Sequence, residues 1–285
     1  MQLIVDSGGT KSVWVALKKD DGSRQTFEAP GLQPAVQSEE DISRILDNEF
    51  PSSLKALQPE VIHFYGAGCK GKENIRLIRE QLKSLWPKAE LHINHDLLAA
   101  AKSTLGDKEG VAAIIGTGSS AGYFDGEKIC QQKPALGYIL GDEGSGAWIG
   151  KKLLKDYCYG HLPEEVKNTI TPLLPERAVE PLINKVYKEA YPNRFLASLA
   201  SGLGSIQDHP YAKGLIRKGF NSFMEIHIAG QEESKTAPLA FTGSVAYHFA
   251  KHLKAVAHDL GFTHITIQKA PLEGLIQYHL NRKNP

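Results

Sequence analysis

Four short glycine-bearing segments carry the residues that could do chemistry. The first, Asp6-Ser7-Gly8-Gly9-Thr10-Lys11, follows the apolar run Leu3-Ile4-Val5. Two glycines after a strand let the backbone come close to a ligand and aim N–H groups at it, which makes an anion nest. Thr10 adds a hydroxyl donor and Lys11 a cation, and Asp6 can hold a Mg²⁺-bound water beside phosphates. A hairpin turn that needs glycine only for its geometry explains this segment equally well, since short glycine motifs match often by chance. The second segment, Gly116-Thr117-Gly118-Ser119-Ser120, follows Val111 to Ile115. Two such turns, one in each of two lobes, would clamp a polyphosphate. Neither has the spacing of a P-loop or of a dinucleotide fingerprint.

The third segment runs from Leu136 to Gly146 and includes Gly137, Tyr138, Asp142 and Glu143. Acidic residues in a first helical turn would explain the two carboxylates. The density of glycine exceeds what a helix start needs, which favours a ligand-facing loop. The fourth is Phe241-Thr242-Gly243-Ser244-Val245, after a strand and before a helix; such a turn can admit a flat base, and a plain strand-to-helix turn explains it equally well. His92/His95 and His248/His252 have ligand-like spacing, but no Glu completes an H-E-x-x-H and no Cys lies near, so they read as surface or core histidines.

The elements that must position these segments occur twice. Strand, glycine turn, strand, tight turn, strand starts near residue 3 and again near residue 111, an internal repeat that predicts two related α/β lobes. Helical stripes are expected over Ser38 to Phe50, Glu73 to Trp86, Leu97 to Leu105, Ser145 to Tyr159, Glu176 to Ala190, Tyr211 to Ile228 and Val245 to Leu260. Segments 230–237 and 281–285 are expected to be mobile. The domains expected are 1–104 with a C-terminal helix from about 271–285, and 105–270. Of 285 residues, 33 are Lys or Arg and 32 Asp or Glu. That balance argues against a general nucleic-acid or membrane-surface binder. Three scattered cysteines give no disulfide framework. The first residues lack a basic and an apolar signal region, and no apolar run is long enough to span a bilayer. A cytoplasmic protein is therefore expected.

With these motifs in this order, the chain resembles the N-acetylglucosamine kinase branch of the actin-like ATPase superfamily. That branch lies within the family also named for activator ATPases of benzoyl-CoA reductase and 2-hydroxyacyl-CoA dehydratase. Tyr65-Gly66-Ala67-Gly68-Cys69, Leu136 to Gly146, Pro192 to Leu196 and Glu273 to His279 look like signatures of that subgroup. The resemblance implies two ribonuclease H-like lobes with an interlobe nucleotide cleft. It implies ATP and Mg²⁺ as cofactors, with Ser7, Gly8, Gly9, Thr10, Lys11, Gly116, Thr117 and Gly118 on the phosphates. Gly243, Ser244 and Val245 lie in the implied adenosine motif. Asp96 is the implied general base, and it also suits a helix cap for Leu97 to Leu105. The implied sugar contacts are Gln33, Asp96, Ser119, Ser120, Gly137, Tyr138 and Asp142. The family commonly has Asn where this chain has Gln33 and Ser120.

The expected activity is ATP-dependent phosphorylation of an amino sugar, N-acetylglucosamine to its 6-phosphate, with N-acetylmuramic acid and other amino sugars as alternatives. Similar proteins are commonly dimers, which leaves a homodimer open. The competing class, an ATPase that drives electron transfer, needs Cys thiolates for a shared [4Fe–4S] cluster. Only Cys69 lies in a glycine-rich context; Cys130 and Cys158 fall in an expected strand and helix.

Overall fold

A computed structural model describes residues 1–18, 22–229 and 237–281. The chain divides into two compact units, Met1–Gly106 with Pro271–Pro285, and Asp107–Ala270.

In the first unit, β1 (Gln2–Ser7), β2 (Lys11–Leu17) and β3 (Arg24–Pro30) form an antiparallel meander. Parallel strands β4 (Val61–Gly66) and β5 (Glu90–His95) extend β1 on its other edge, giving the order β3-β2-β1-β4-β5. The apolar run Leu3-Ile4-Val5 is fully buried, as befits a central strand covered on both faces. Helix α1 (Glu39–Asn48) starts from a capping box, in which Ser38 and Asp41 satisfy each other's backbone N–H. Helices α2 (Ser52–Lys55), α3 (Gly71–Leu85) and α4 (Asp96–Leu105) follow their expected stripes or fill short connections. Trp14 anchors the core, edge-on to Phe50 with centroids 5.3 Å apart.

The second unit repeats this plan. The meander is β6 (Gly110–Ile115), β7 (Ser119–Phe124) and β8 (Ile129–Gln132), and parallel strands β9 (Leu239–Thr242) and β10 (Ile265–Gln268) complete the order β10-β9-β6-β7-β8. Its helices are α5 (Gly137–Leu140), α6 (Gly146–Cys158), α7 (Glu164–Ile170), α8 (Val179–Tyr187), α9 (Pro192–Leu199), α10 (Pro210–His227), α11 (Ser244–His248) and α12 (Ala250–Asp259). The last helix, α13 (Leu272–Asn281), belongs to the first unit. It packs on α4 so closely that a Cβ at Gly274 would stand 2.3 Å from the Ser103 carbonyl oxygen. Tyr65 and His279 add a hydrogen bond at 3.0 Å.

Three expected elements differ. The helix expected over Val245 to Leu260 breaks into α11 and α12 at Phe249, whose backbone leaves helical geometry (φ −105°, ψ 26°) while its ring is buried. The helix expected from Glu176 starts at Val179, where Pro181 is tolerated because first-turn N–H groups have no helical partner. The third strand of the second meander starts at Ile129 because the Asp125 carboxylate accepts N–H bonds from Glu127 and Lys128 and holds both in the turn. Of the segments expected to be mobile, 230–236 and 282–285 lie outside the described residues, as do 19–21 of the first charged turn.

Candidate active site

In the first unit the expected residues gather at the C-terminal ends of β1, β4 and β5, where open α/β sheets hold ligands. The Gly8 N–H donates to the Lys11 carbonyl at 3.0 Å and closes the first glycine turn. Gly8 and Thr10 are exposed and Gly9 is half-buried. The segment after β3 folds back on this turn, and the Gly31 N–H donates to the Thr10 carbonyl at 3.1 Å. A Cβ at Gly31 would stand 2.1 Å from the Gly8 carbonyl oxygen, so only glycine fits. The buried Ser7 hydroxyl is engaged with Leu32, accepting its N–H at 2.9 Å and donating to its carbonyl at 3.2 Å. Lys11 pairs with Glu28 at 2.5 Å on the exposed side of β2 and β3. The Gln37 side chain accepts the Gln33 N–H at 2.5 Å and donates to the Gly31 carbonyl at 3.0 Å, which fixes the half-buried Gln33.

Asp96 is the first residue of α4, and His95 is its N-cap. One Asp96 oxygen accepts the Leu97 N–H at 2.9 Å. Burial raises the Asp96 carboxyl, opposed by that N–H and by the Lys70 ammonium. Burial, and then the Asp96 charge, pushes Asp6 up to about 6. Burial lowers the neighbouring His95 to about 4, which keeps it neutral beside Asp96. Magnesium takes oxygen ligands and keeps most of its waters. Asp6 fits such an ion: its charge lies beside the phosphate-type turn and is opposed, not compensated, by Asp96.

In the second unit, the Gly116 N–H donates to the Gly118 carbonyl at 2.9 Å. The first N–H groups of α6 reach this turn, Gly146 to the Gly116 carbonyl at 2.8 Å and Ala147 to the Thr117 carbonyl at 3.0 Å. Ser145 caps α6 by accepting the Trp148 N–H at 3.1 Å. Asp142 sits in left-handed backbone geometry, φ 55°. Its carboxylate accepts the Ser119 N–H at 3.2 Å, and the Ser119 hydroxyl donates to the Glu143 carbonyl at 2.8 Å. Gly118 makes room for that carboxylate, since a Cβ there would approach it to 2.9 Å. Burial and the Glu143 charge raise Asp142, while His227 and Lys151 lower it.

Ser120, half-buried, is the second residue of β7, opposite Ile114. Gly137 opens the short helix α5 at φ 71°, and the carbonyl of half-buried Tyr138 accepts from Lys151 at 2.7 Å. Gly243, at φ 118°, passes behind the second turn: a Cβ there would stand 2.3 Å from the Ile115 carbonyl oxygen and 3.1 Å from the Gly116 nitrogen. Ser244 is exposed and Val245 buried. The structure thus brings Gly116, Thr117, Gly118, Ser119, Asp142 and Gly243 together within the second unit.

Sequence reasoning missed Gly31 and Gln37, which brace the first turn, and the Glu143–His227 pair, which meets at 3.2 Å. The glycine after Pro30 is a visible turn signal. Nothing local marks the other contacts. A broad cavity of about 700 Å³ runs along α10 past Asp208, Lys213, Arg217 and Glu225, and includes none of the expected site residues. The cysteines are dispersed as well. Cys69 is buried and its thiol is pushed up to about 12 by that burial, the setting of an unreactive thiol. Cys130 is exposed with its thiol on Asp125 at 2.8 Å. Among the described residues no group of three or more His, Cys, Asp or Glu is placed to hold a metal, and no helix is long and apolar enough to cross a membrane.

No protein-family model matches the chain. A curated N-acetylmuramic acid/N-acetylglucosamine kinase of Clostridium acetobutylicum is 26% identical over 220 residues, 74% of this chain and 70% of that protein. Among solved structures, one described as a candidate N-acetylglucosamine kinase of Chromobacterium violaceum shares the fold at 19% identity, with TM-score 0.71 over 97% of this chain and 98% of that one. A candidate N-acetylglucosamine kinase of Porphyromonas gingivalis is 35% identical, with TM-score 0.90 over 99% of both chains. Two sheets of the same strand order, a glycine turn at the head of each, and identity of this level over the full length lead to one assignment: the chain belongs to the N-acetylglucosamine kinase-like family of the actin-like ATPase fold.

Proposed function

We propose that the chain is an ATP-dependent kinase that transfers a phosphoryl group to a hydroxyl of an amino sugar, N-acetylglucosamine first among them and its 6-hydroxyl as acceptor. The observation that carries this reading is Asp96. It stands at the head of α4, with a carboxyl held above the ordinary range by burial and in the electrostatic reach of Asp6. Phosphoryl transfer needs positioning, neutralised charge and an acceptor for the hydroxyl proton. A carboxylate with a raised pKa is the stronger base, and Asp96 takes the proton from the sugar hydroxyl as the new P–O bond forms. The turn from Gly8 to Thr10 offers N–H groups and a hydroxyl to phosphates. The turn from Gly116 to Gly118 does the same, with Gly243, Ser244 and Val245 on the adenosine side. Bound magnesium supplies charge neutralisation at the phosphates, and Asp6 would hold it through water. Asp142, with Gln33, Ser119, Ser120 and the Gly137-Tyr138 segment, orients the sugar by accepting and donating hydrogen bonds to its hydroxyl and amide groups.

The Clostridium acetobutylicum relative is named for N-acetylmuramic acid as well as N-acetylglucosamine, which makes the lactyl-bearing sugar the second substrate to test. A coupled ADP-release screen over amino sugars and their N-acetyl forms decides. Sugar-dependent ADP release with N-acetylglucosamine is expected. No turnover with any member of the panel overturns the reading.

A further inference from the structure

The loop that carries Asp142 has two adjacent carboxylates, and the proposed sugar contact uses only one. Glu143 turns the other way. Its carboxylate meets the His227 ring nitrogen of α10 at 3.2 Å, with the two side chains 17% and 7% exposed. His227 stands on the buried side of α10, beside Phe223 at 5.0 Å between ring centroids, and Phe220, Phe223 and Met224 are fully buried there. A backbone contact accompanies the pair. Gly144 packs on Gly219 of α10 so tightly that a Cβ on Gly144 would stand 2.9 Å from the Gly219 carbonyl oxygen.

Hydrogen bonds also tie this loop to the second glycine turn and to itself. Asp142 accepts from Ser119, Glu143 accepts from Ser119 through its carbonyl, and Ser145 donates to the Asp142 carbonyl at 3.1 Å. The glycine turn has a brace of its own, from Gly146 and Ala147 of α6. The left-handed Asp142 has a conformation that costs a residue with a Cβ about 1–3 kcal/mol, and it persists only where the surroundings over-determine it. Two like charges side by side add to that strain unless one is paired.

We infer that His227 is a positioning residue for the sugar: by holding the Glu143 carboxylate on α10 it fixes Asp142 in its left-handed geometry, with the Asp142 carboxyl group set on the Ser119 N–H and placed as a hydrogen-bond partner for a sugar hydroxyl. This rests on the amino-sugar kinase reading for its substrate, though not for its geometry. His227 acts through Glu143 and touches no reacting atom. Its removal therefore acts on sugar binding, while the phosphate turn keeps its support from α6.

The test uses His227→Leu, His227→Gln and Glu143→Gln in the full chain, singly and with His227→Leu and Glu143→Gln combined. His227→Leu leaves a buried carboxylate without its partner; the expected result is a rise of about tenfold or more in KM for N-acetylglucosamine, with KM for ATP and kcat within about threefold. His227→Gln retains an N–H donor and should restore most of the sugar KM. The combined variant should be no worse than His227→Leu, because both changes break one pair. Equal losses in both KM values, or a Gln variant as impaired as the Leu variant, overturn the inference. Amide exchange gives a readout independent of substrate. His227→Leu should speed exchange at Ser119 N–H, and His227→Gln should not. If the wild type phosphorylates no amino sugar but this exchange pattern appears, the kinase reading fails and the positioning role of His227 stands. If exchange at Ser119 is the same in all variants, the positioning role fails whatever the substrate.

Discussion

Asp6 offers the most direct test of the first-unit site, because its charge costs folding stability in a way that can be read out. Burial, with Asp96 adding, raises its pKa from 3.8 to about 6. At about 1.4 kcal/mol per pK unit, the ceiling on that cost is about 3 kcal/mol, so about 1–3 kcal/mol is expected. The sign follows from proton counting. Below pH 3.8 the group is protonated in both the folded and the unfolded chain, and no cost arises. Between 3.8 and about 6 the unfolded chain ionises while the folded chain still holds its proton, so stability is lost across that window and the loss is complete once the folded chain is ionised too. Asp6→Asn keeps the shape and removes the titration.

The Asn variant should therefore match the wild type in urea melts near pH 3.5. It should exceed the wild type increasingly up to about pH 7 and hold that advantage above, with an unchanged m value. Carboxylates other than Asp96, which interacts with Asp6, titrate alike in both proteins and cancel in the difference. With saturating Mg²⁺ and ATP the order should reverse. A ligand at 100 times its Kd adds about 2.7 kcal/mol to the wild type, and the Asn variant loses the carboxylate proposed to hold the metal's water. An Asn variant no more stable than the wild type at pH 7, or a difference that does not change with pH, refutes the electrostatic reasoning. An advantage that persists unchanged with Mg²⁺ and ATP refutes the metal role alone.

Three further outcomes are expected. Asp96→Asn keeps an oxygen for the Leu97 N–H and should leave ATP KM nearly unchanged while kcat falls by about 10² or more, measured by steady-state kinetics. Thr10→Val removes an exposed hydroxyl, so ATP binding by calorimetry should weaken by only about 1 kcal/mol. Gly31→Ala must push apart a contact that would otherwise be 2.1 Å from its new Cβ to the Gly8 oxygen. A displacement of the phosphate turn by roughly 1 Å should lower kcat/KM for ATP by about 10², with a fall of about 1–3 kcal/mol in stability by denaturant melts.

What the sequence made legible was local. Leu3-Ile4-Val5 before two glycines, and Val111 to Ile115 before Gly116, each declare a strand entering a turn, and their recurrence is the duplicated meander with the same strand order in both sheets. Asp96 follows a strand and precedes an apolar helical stripe, which places it at the head of α4; its proposed task comes from resemblance and not from that position. What was not legible depends on distant residues. Phe249 breaks a helix that its own neighbours would continue, because its ring is buried in the core. Gly31 reads as an ordinary turn residue until the first glycine turn is packed against it. His227 is a single histidine at the end of an amphipathic helix, 84 residues from its partner Glu143.

The two units also reveal how one plan supports two different turns. In each, the segment after the third meander strand folds back over the glycine turn between the first two strands: Gly31 donates to Thr10 in one, and Gly146 donates to Gly116 in the other. The proposed sugar contacts Gln33 and Asp142 both lie on these returning segments, so the same motif that braces a proposed phosphate turn also presents a polar group beside it. The first unit does this by close backbone approach, which demands a glycine and introduces no charge. The second braces its turn through the Gly146 and Ala147 N–H groups and adds Asp142 beside it, whose carboxylate holds the Ser119 N–H at 3.2 Å. That carboxylate has Glu143 as its neighbour, and the proposed task of His227 is to hold the Glu143 carboxylate on α10. The asymmetry therefore predicts different failures. Changes on the first returning segment should act through sterics and be insensitive to charge. Those on the second should respond to the charge state of the carboxylate pair.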